Sequence, residues 1–167
     1  VTIPEKVTSI GDSAFRSCKK ATSLAIPDSV TSIGESAFRE CESLTLIKIP
    51  TGVTTIKSCA FYDCKNLKSV KLGSGVKSIG ASTFERCPNL SEFIVDEKNE
   101  HFATFNDALY TKDYSEILYY PKALDGDLTK LHENLQKIGN TVFQDNPNIK
   151  KVHFSKNIVS IGANAFN

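Results

Sequence analysis

The sequence predicts a β-dominated solenoid of short stacked coils, and three observations carry that expectation. The stretch Leu24 to Cys41, LAIPDSVTSIGESAFREC, recurs at intervals of 23 residues. Apolar and polar residues alternate at the start of each recurrence, as in a half-buried strand. Each interval is too short to hold a full helix beside two strands. A fixed period of this size marks units that can bury their apolar faces only against one another.

The coils follow one another in phase. A partial coil covers 1–20, and full coils cover 21–43, 44–66 and 67–89. A long coil of 59 residues follows, 90–148, and a last partial coil starts at Ile149. Register survives the long coil: Ile79 maps to Ile138, Phe84 to Phe143 and Leu90 to Ile149. Within a coil, Leu24 and Ile26 alternate with Ser23 and Ala25. Pro27 lacks a backbone donor, so the first strand stops there. Asp28-Ser29 supply a turn. Val30 to Ile33 is β-branched and reads as a second short strand. Gly34, with glycines at 11, 80, 139 and 162, implies a positive φ or a close approach of backbones. Glu35 to Cys41 turns the corner, read here as a single helical turn. Stacked coils then place parallel strands about 4.8 Å apart.

Composition bounds the function. The chain is 40% hydrophobic and 23% charged, with a net charge of +1. That balance supplies a core but no global field for nucleic acid. No apolar run is long enough to span a bilayer. Both ends fall inside repeats, and solenoids normally carry capping repeats. Residues 1–167 therefore read as one solenoid domain, a segment of a longer protein. Four of the five cysteines, Cys18, Cys41, Cys64 and Cys87, share one repeat position. They are either small buried side chains at a corner or disulfides between neighbouring coils. Asn146 stands in the same slot, which suits a small residue able to hydrogen-bond. Cys59 stands where other coils carry Ser13, Ser36 and Ser82.

The pattern LxxLxIPxxVTSIGxxAFxxC resembles the BspA-like, or Treponema pallidum-type, leucine-rich repeat over nearly the whole chain. Unlike the ordinary leucine-rich repeat, its Cys precedes the first core position, Leu44, by three residues. The resemblance implies a right-handed leucine-rich-repeat superhelix and no enzyme activity. It also implies a secreted or cell-surface location, and protein binding such as adhesion to host matrix. The stretch NEHFATFNDALYTKDYSEILYYP resembles the family's hairpin-forming insertion, with Ala108 where glycine is usual. That places a hairpin at about 99–121, pairing Ala108–Thr111 with Glu116–Tyr120 around Lys112–Ser115. Because register resumes at Ile138, the hairpin is expected to leave the stack and project, with one face packed on the solenoid; it either carries part of the binding surface or only shields the solenoid's flank with its tyrosines.

The columns built on Leu24, Ile26, Val30, Ile33 and Phe38 are core. Binding is expected on the outward columns of the first strand. One runs Thr2, Ala25, Lys48, Lys71, Ile94, His153; its neighbour runs Ser23, Leu46, Ser69, Glu92, Lys151. Lys68 and Lys150 flank them. Together they form a shallow basic strip with exposed Leu46 and Ile94, suited to an acidic or extended protein partner. Tyr114, at the hairpin turn, is the other candidate contact. The competing interpretation is an ordinary solvated face on a structural spacer. Catalysis finds no support. His101, His132 and His153 are scattered, and Gly73-Ser-Gly75 lacks the lysine and helix of a phosphate loop. No metal ligand set or cofactor motif is present. The sequon Asn89-Leu90-Ser91 is explained adequately by chance in a chain this rich in Asn and Ser.

Overall fold

The computed structural model describes residues Val1–Asn167. The second-strand positions stack as expected. β1 (Ser9–Ile10), β2 (Ser32–Ile33), β4 (Thr55–Ile56) and β6 (Ser78–Ile79) form one parallel sheet. Their isoleucines are in register, Ile10 to Ile33 to Ile56 to Ile79. The first-strand positions form a second parallel sheet of β3 (Leu46–Ile49), β5 (Ser69–Leu72) and β7 (Glu92–Val95). β3 ends at Ile49, immediately before Pro50, as the missing donor requires. Ile47, Val70 and Phe93 make the interior row in register, all buried. Outside these coils the first-strand position makes only isolated bridges, Thr2 to Ala25 and Asp127 to Lys151.

The corner is not helical. Each coil there carries two residues with left-handed backbone four positions apart. Ser36 has φ +54° and Glu40 has φ +61°; Cys59 and Asp63 repeat them at +56° and +57°. Such a conformation costs a non-glycine residue about 1–2 kcal/mol. It is held because it turns alternate N–H groups along the stacking axis. Ser36 N–H donates to Ser58 at 3.0 Å, Phe38 to Ala60 at 2.8 Å and Glu40 to Tyr62 at 2.8 Å. Gly34, Gly80, Gly139 and Gly162 serve the other possibility, close approach, whereas Gly11 has no neighbour to crowd it. Gly34 has no positive φ, and a Cβ there would lie 2.5 Å from the carbonyl carbon of Gly11.

Side chains reinforce the stack. Phe15, Phe38, Phe61 and Phe84 lie ring on ring, with centroids 5.2, 5.3 and 5.7 Å apart. The cysteine column settles as free thiols, all five unbridged. Cys41, Cys64 and Cys87 donate to the carbonyls of Phe15, Phe38 and Phe61 of the preceding coil, at 3.2, 3.3 and 3.4 Å. They point at backbone rather than at each other, so no bridge can form. Asn89 is likewise structural: its amide donates to Lys65 O at 2.8 Å.

The hairpin forms, its second strand ending at Tyr119, one residue short of expectation, but it does not project. β8 (Phe102–Phe105), β9 (Ala108–Thr111) and β10 (Glu116–Tyr119) form an antiparallel meander. β10 then pairs in parallel with β11 (Lys137–Ile138), and β11 with β12 (Ser160–Ile161). Ile117 is in register with Ile138 and fully buried. The long coil thus supplies an additional member of the Ile10 column, and its hairpin lies inside the stack as a septum. Both faces of β9 are covered: Leu109 belongs to the core of the preceding coils, whereas Ala108 and Tyr110 belong to a second core with Ile117, Ile138 and Phe143. Tyr119 meets Phe84 edge-on at 5.4 Å, and Tyr120 meets Phe143 at 5.2 Å. The tyrosine pair carries the aromatic column across the septum. The physical reason is burial: three consecutive apolar or aromatic positions on each of two strands, Ala108–Tyr110 and Ile117–Tyr119, have more to gain between two cores than in water.

Candidate protein-binding face

Strand alternation turns Lys48 and Lys71 outward, and the parallel register sets them side by side with Ile94. Lys48 and Lys71 are exposed, and Ile94 is 41% exposed. A cleft of about 360 Å³ opens at this row, lined by Lys48, Lys71, Ile94 and Leu72 together with Asp28 and Asp96. Neither lysine is in an ion pair, although six pairs form elsewhere on the chain. The adjoining row holds Leu46, Ser69 and Glu92 in register. Leu46 and Ile94 lie on opposite strands of the sheet with β5 between them, so the exposed apolar groups are not contiguous. Lys68 flanks the rows at the start of β5, where its carbonyl accepts from Ser91 N–H at 2.9 Å.

The other candidates lie apart from this face. The Asn106-Asp107 turn packs beside β7, with Asp107 O accepting from Phe93 N–H at 3.0 Å. Asn106 reaches on to Lys130 O at 2.9 Å. Turn and septum therefore interrupt the strip between Ile94 and the exposed Lys150, Lys151 and His153. The basic strip is two separate patches. Tyr114 is not a free aromatic at a tip. It is half-buried and stacks on His132 at 4.1 Å with the rings 5° from parallel. Its left-handed backbone, φ +60°, folds the turn back onto the second core.

One surface cluster lies outside the first-strand columns, at the corner. Arg39 lies 4.5 Å from the centre of the Tyr62 ring, and Arg86 lies 5.8 Å from it. Arg39 also pairs with Glu40 at 3.0 Å. Glu40 is held well below the usual carboxylate range, at about 2, first by the Ser17 hydroxyl and then by Arg39. The 23-residue step from Arg39 to Tyr62 was visible in the sequence as one corner column. Burial pushes the Cys41 thiol up to about 11 and Cys87 to about 12, so these thiols stay protonated and unreactive. No group of three or more His, Cys, Asp or Glu side chains is placed to hold a metal ion. No helix is long and apolar enough to cross a membrane.

Stacked 23-residue coils with an outward-facing parallel sheet define a leucine-rich-repeat solenoid. The chain belongs to the family of the BspA type leucine rich repeat region, which matches residues 1–111 and 127–167 in six copies. The unmatched stretch begins at the hairpin turn. Solved structures share the fold. The pneumococcal vaccine antigen PcpA superposes with a TM-score of 0.78 at 23% identity, over 99% of this chain and 47% of that one. A leucine-rich repeat protein from Eubacterium ventriosum gives 0.78 at 22% identity, over 99% of this chain and 50% of that one. A leucine rich cell surface protein from Faecalibacterium prausnitzii gives 0.51 at 23%, over 99% of this chain and 57% of that one. The chain spans about half the length of the first two. No curated protein matches it.

Proposed function

We propose that this chain is a protein-recognition module of a bacterial cell-surface or secreted protein, and that the β3–β5–β7 face takes an acidic segment of a protein ligand. The observation that carries this reading is the Lys48–Lys71 pair. Like charges directly opposite on neighbouring strands are destabilising. Where lysines stack on one another elsewhere a carboxylate can stand between them, as Glu42 does for Lys19 at 3.0 Å and Lys65 at 3.2 Å; Lys48 and Lys71 have no such partner. Two unpaired lysines over a cleft present charge that an acidic partner would complement. The surface location is supported by family membership and by the cell-surface relative. Thiols that are buried and protonated are compatible with an oxidising exterior.

The test is binding to immobilised extracellular-matrix proteins by surface plasmon resonance, at low and at physiological salt. The comparison is between the wild-type chain and the Lys48→Glu/Lys71→Glu double variant. Charge reversal should lower affinity about tenfold or more, chiefly through the association rate, and the wild-type signal should weaken with salt. Equal binding by both proteins removes this face from the site. If no matrix protein binds the wild type, the structural-spacer reading takes its place.

A further inference from the structure

The second-strand ladder breaks once, and the break is a cleft. In the regular coils the carbonyls of Ile33 and Ile56 accept from the next coil, from Lys57 at 2.9 Å and Gly80 at 2.7 Å. One corner further on, Ser36 and Cys59 N–H groups donate to Ser58 and Ala81, each at 3.0 Å. At β6 this sequence stops. β6 is the terminal strand of its sheet, and no Cα of β6 lies within 8 Å of one in β8, β9 or β10. A paired strand would be about 4.8 Å away. Ile79 O and Ser82 N–H therefore lack the partners that their equivalents have.

The space left is a cavity of about 420 Å³ between β6 and the septum. Its walls include Ile79, Phe102, Leu118 and the Tyr119 ring, with the carboxylates of Glu85 and Glu116. Neither carboxylate is in an ion pair. Glu85 accepts only from the Thr141 hydroxyl, at 2.7 Å. Glu116 lies over Gly139, with Oε1 3.6 Å from where a Cβ would stand. Three features coincide: an unpaired strand edge, an apolar wall and two unneutralised acids.

We infer that this cleft binds an extended segment of a protein partner, paired along β6 where the next coil would lie, with a lysine or arginine side chain directed to Glu85 and Glu116. The three preceding coils define the pairing, since each edge takes one N–H on its isoleucine carbonyl and offers one N–H at its corner. Strand addition of this kind draws affinity from main-chain bonds and selectivity from side-chain pockets. The site is separate from the lysine row and opposite to it in charge, so the two are tested by different probes.

The experiment titrates the chain with a capped peptide of alternating valine and arginine, followed by calorimetry and by amide NMR. The control peptides replace arginine with glutamate, or carry N-methyl groups along one edge. The basic peptide should bind, slow hydrogen exchange at Ile79 and Ser82, and lose about tenfold or more in affinity against the Glu85→Gln/Glu116→Gln variant. N-methylation should abolish binding. Binding that survives both N-methylation and the glutamine variant would be surface attraction elsewhere and would overturn the site. So would equal binding of the acidic peptide, or no binding at all by a wild-type chain shown to be folded by its NMR spectrum.

Discussion

The hydroxyl of Tyr119 donates to the carbonyl of Gly80, 39 residues earlier in the chain, at 3.2 Å. The same oxygen accepts from the Thr83 amide at 3.2 Å. One phenol thus fastens the septum to the last regular coil, across the break between β6 and β10.

Tyr119→Phe should destabilise the fold by about 1–3 kcal/mol. The ring would keep its edge contact with Phe84, and Gly80 O would keep the Thr83 hydroxyl at 2.7 Å. The Thr83 N–H would lose its partner, and an unpaired buried donor accounts for a cost of that size. Urea denaturation of the two proteins measures it. No loss would show that solvent reaches the Thr83 amide.

Ile117→Ala should cost about 2–5 kcal/mol, as a core truncation does. Ile117 is fully buried between strands β9 and β11. On a projecting hairpin the same change would stay within about 0.5 kcal/mol, as surface changes usually do. Thermal or urea unfolding separates these outcomes directly.

Stability should fall at both extremes of pH. Burial raises Cys41 from 9.0 to about 11, Cys87 to about 12, and Tyr110 and Tyr119 from 10.0 to about 12. Above pH 9 the unfolded chain therefore binds fewer protons than the native one, and stability is lost as pH rises towards 11 or 12. On the acid side Glu40 falls from 4.5 to about 2, and Asp113 from 3.8 to about 2. Their contribution is present above pH 4.5 and is lost as pH falls towards 2. Melting temperatures across this range should form a plateau with two falling arms. Thiol titration of the denatured, unreduced chain should count five, with Cys64 protected in the native state.

Replacing 111–116 with a two-residue turn should destabilise the second core rather than leave it intact. Ser115 O accepts from the N–H groups of Gln136 and Lys137, each at 2.9 Å. Asp113 accepts from the hydroxyls of Thr111 at 2.7 Å and Ser115 at 2.8 Å. Tyr114→Ala alone should cost about 0.5–1.5 kcal/mol through loss of the stack on His132. Unfolding followed by near-ultraviolet circular dichroism would register either loss. An unchanged transition would return Tyr114 to the role of a free contact.

The repeat was legible in the sequence because every coil solves the same burial problem with the same residue types. Ile10, Ile33, Ile56, Ile79, Ile138 and Ile161 could be aligned by spacing alone, and period-two alternation sufficed to turn Lys48 and Lys71 outward. Family membership followed from those columns. The sequence also marked the hairpin, because Ala108–Thr111 and Glu116–Tyr120 flank a polar turn. It left the cysteines with two readings, since thiol and disulfide share a spacing; only the direction of Cys64 Sγ, towards Phe38 O, separates them. The corner conformation was equally hidden. Serine and glutamate carry no mark of positive φ, and Ser36 and Glu40 adopt it because the next coil offers carbonyls there. The tertiary structure alone decided where the insertion goes. Nothing local distinguishes a hairpin in water from one between two cores; the outcome depends on the apolar surface that Phe84 and Phe143 leave uncovered when their coils are held apart. That same separation leaves β6 unpaired, and so makes the cleft beside Glu85 and Glu116.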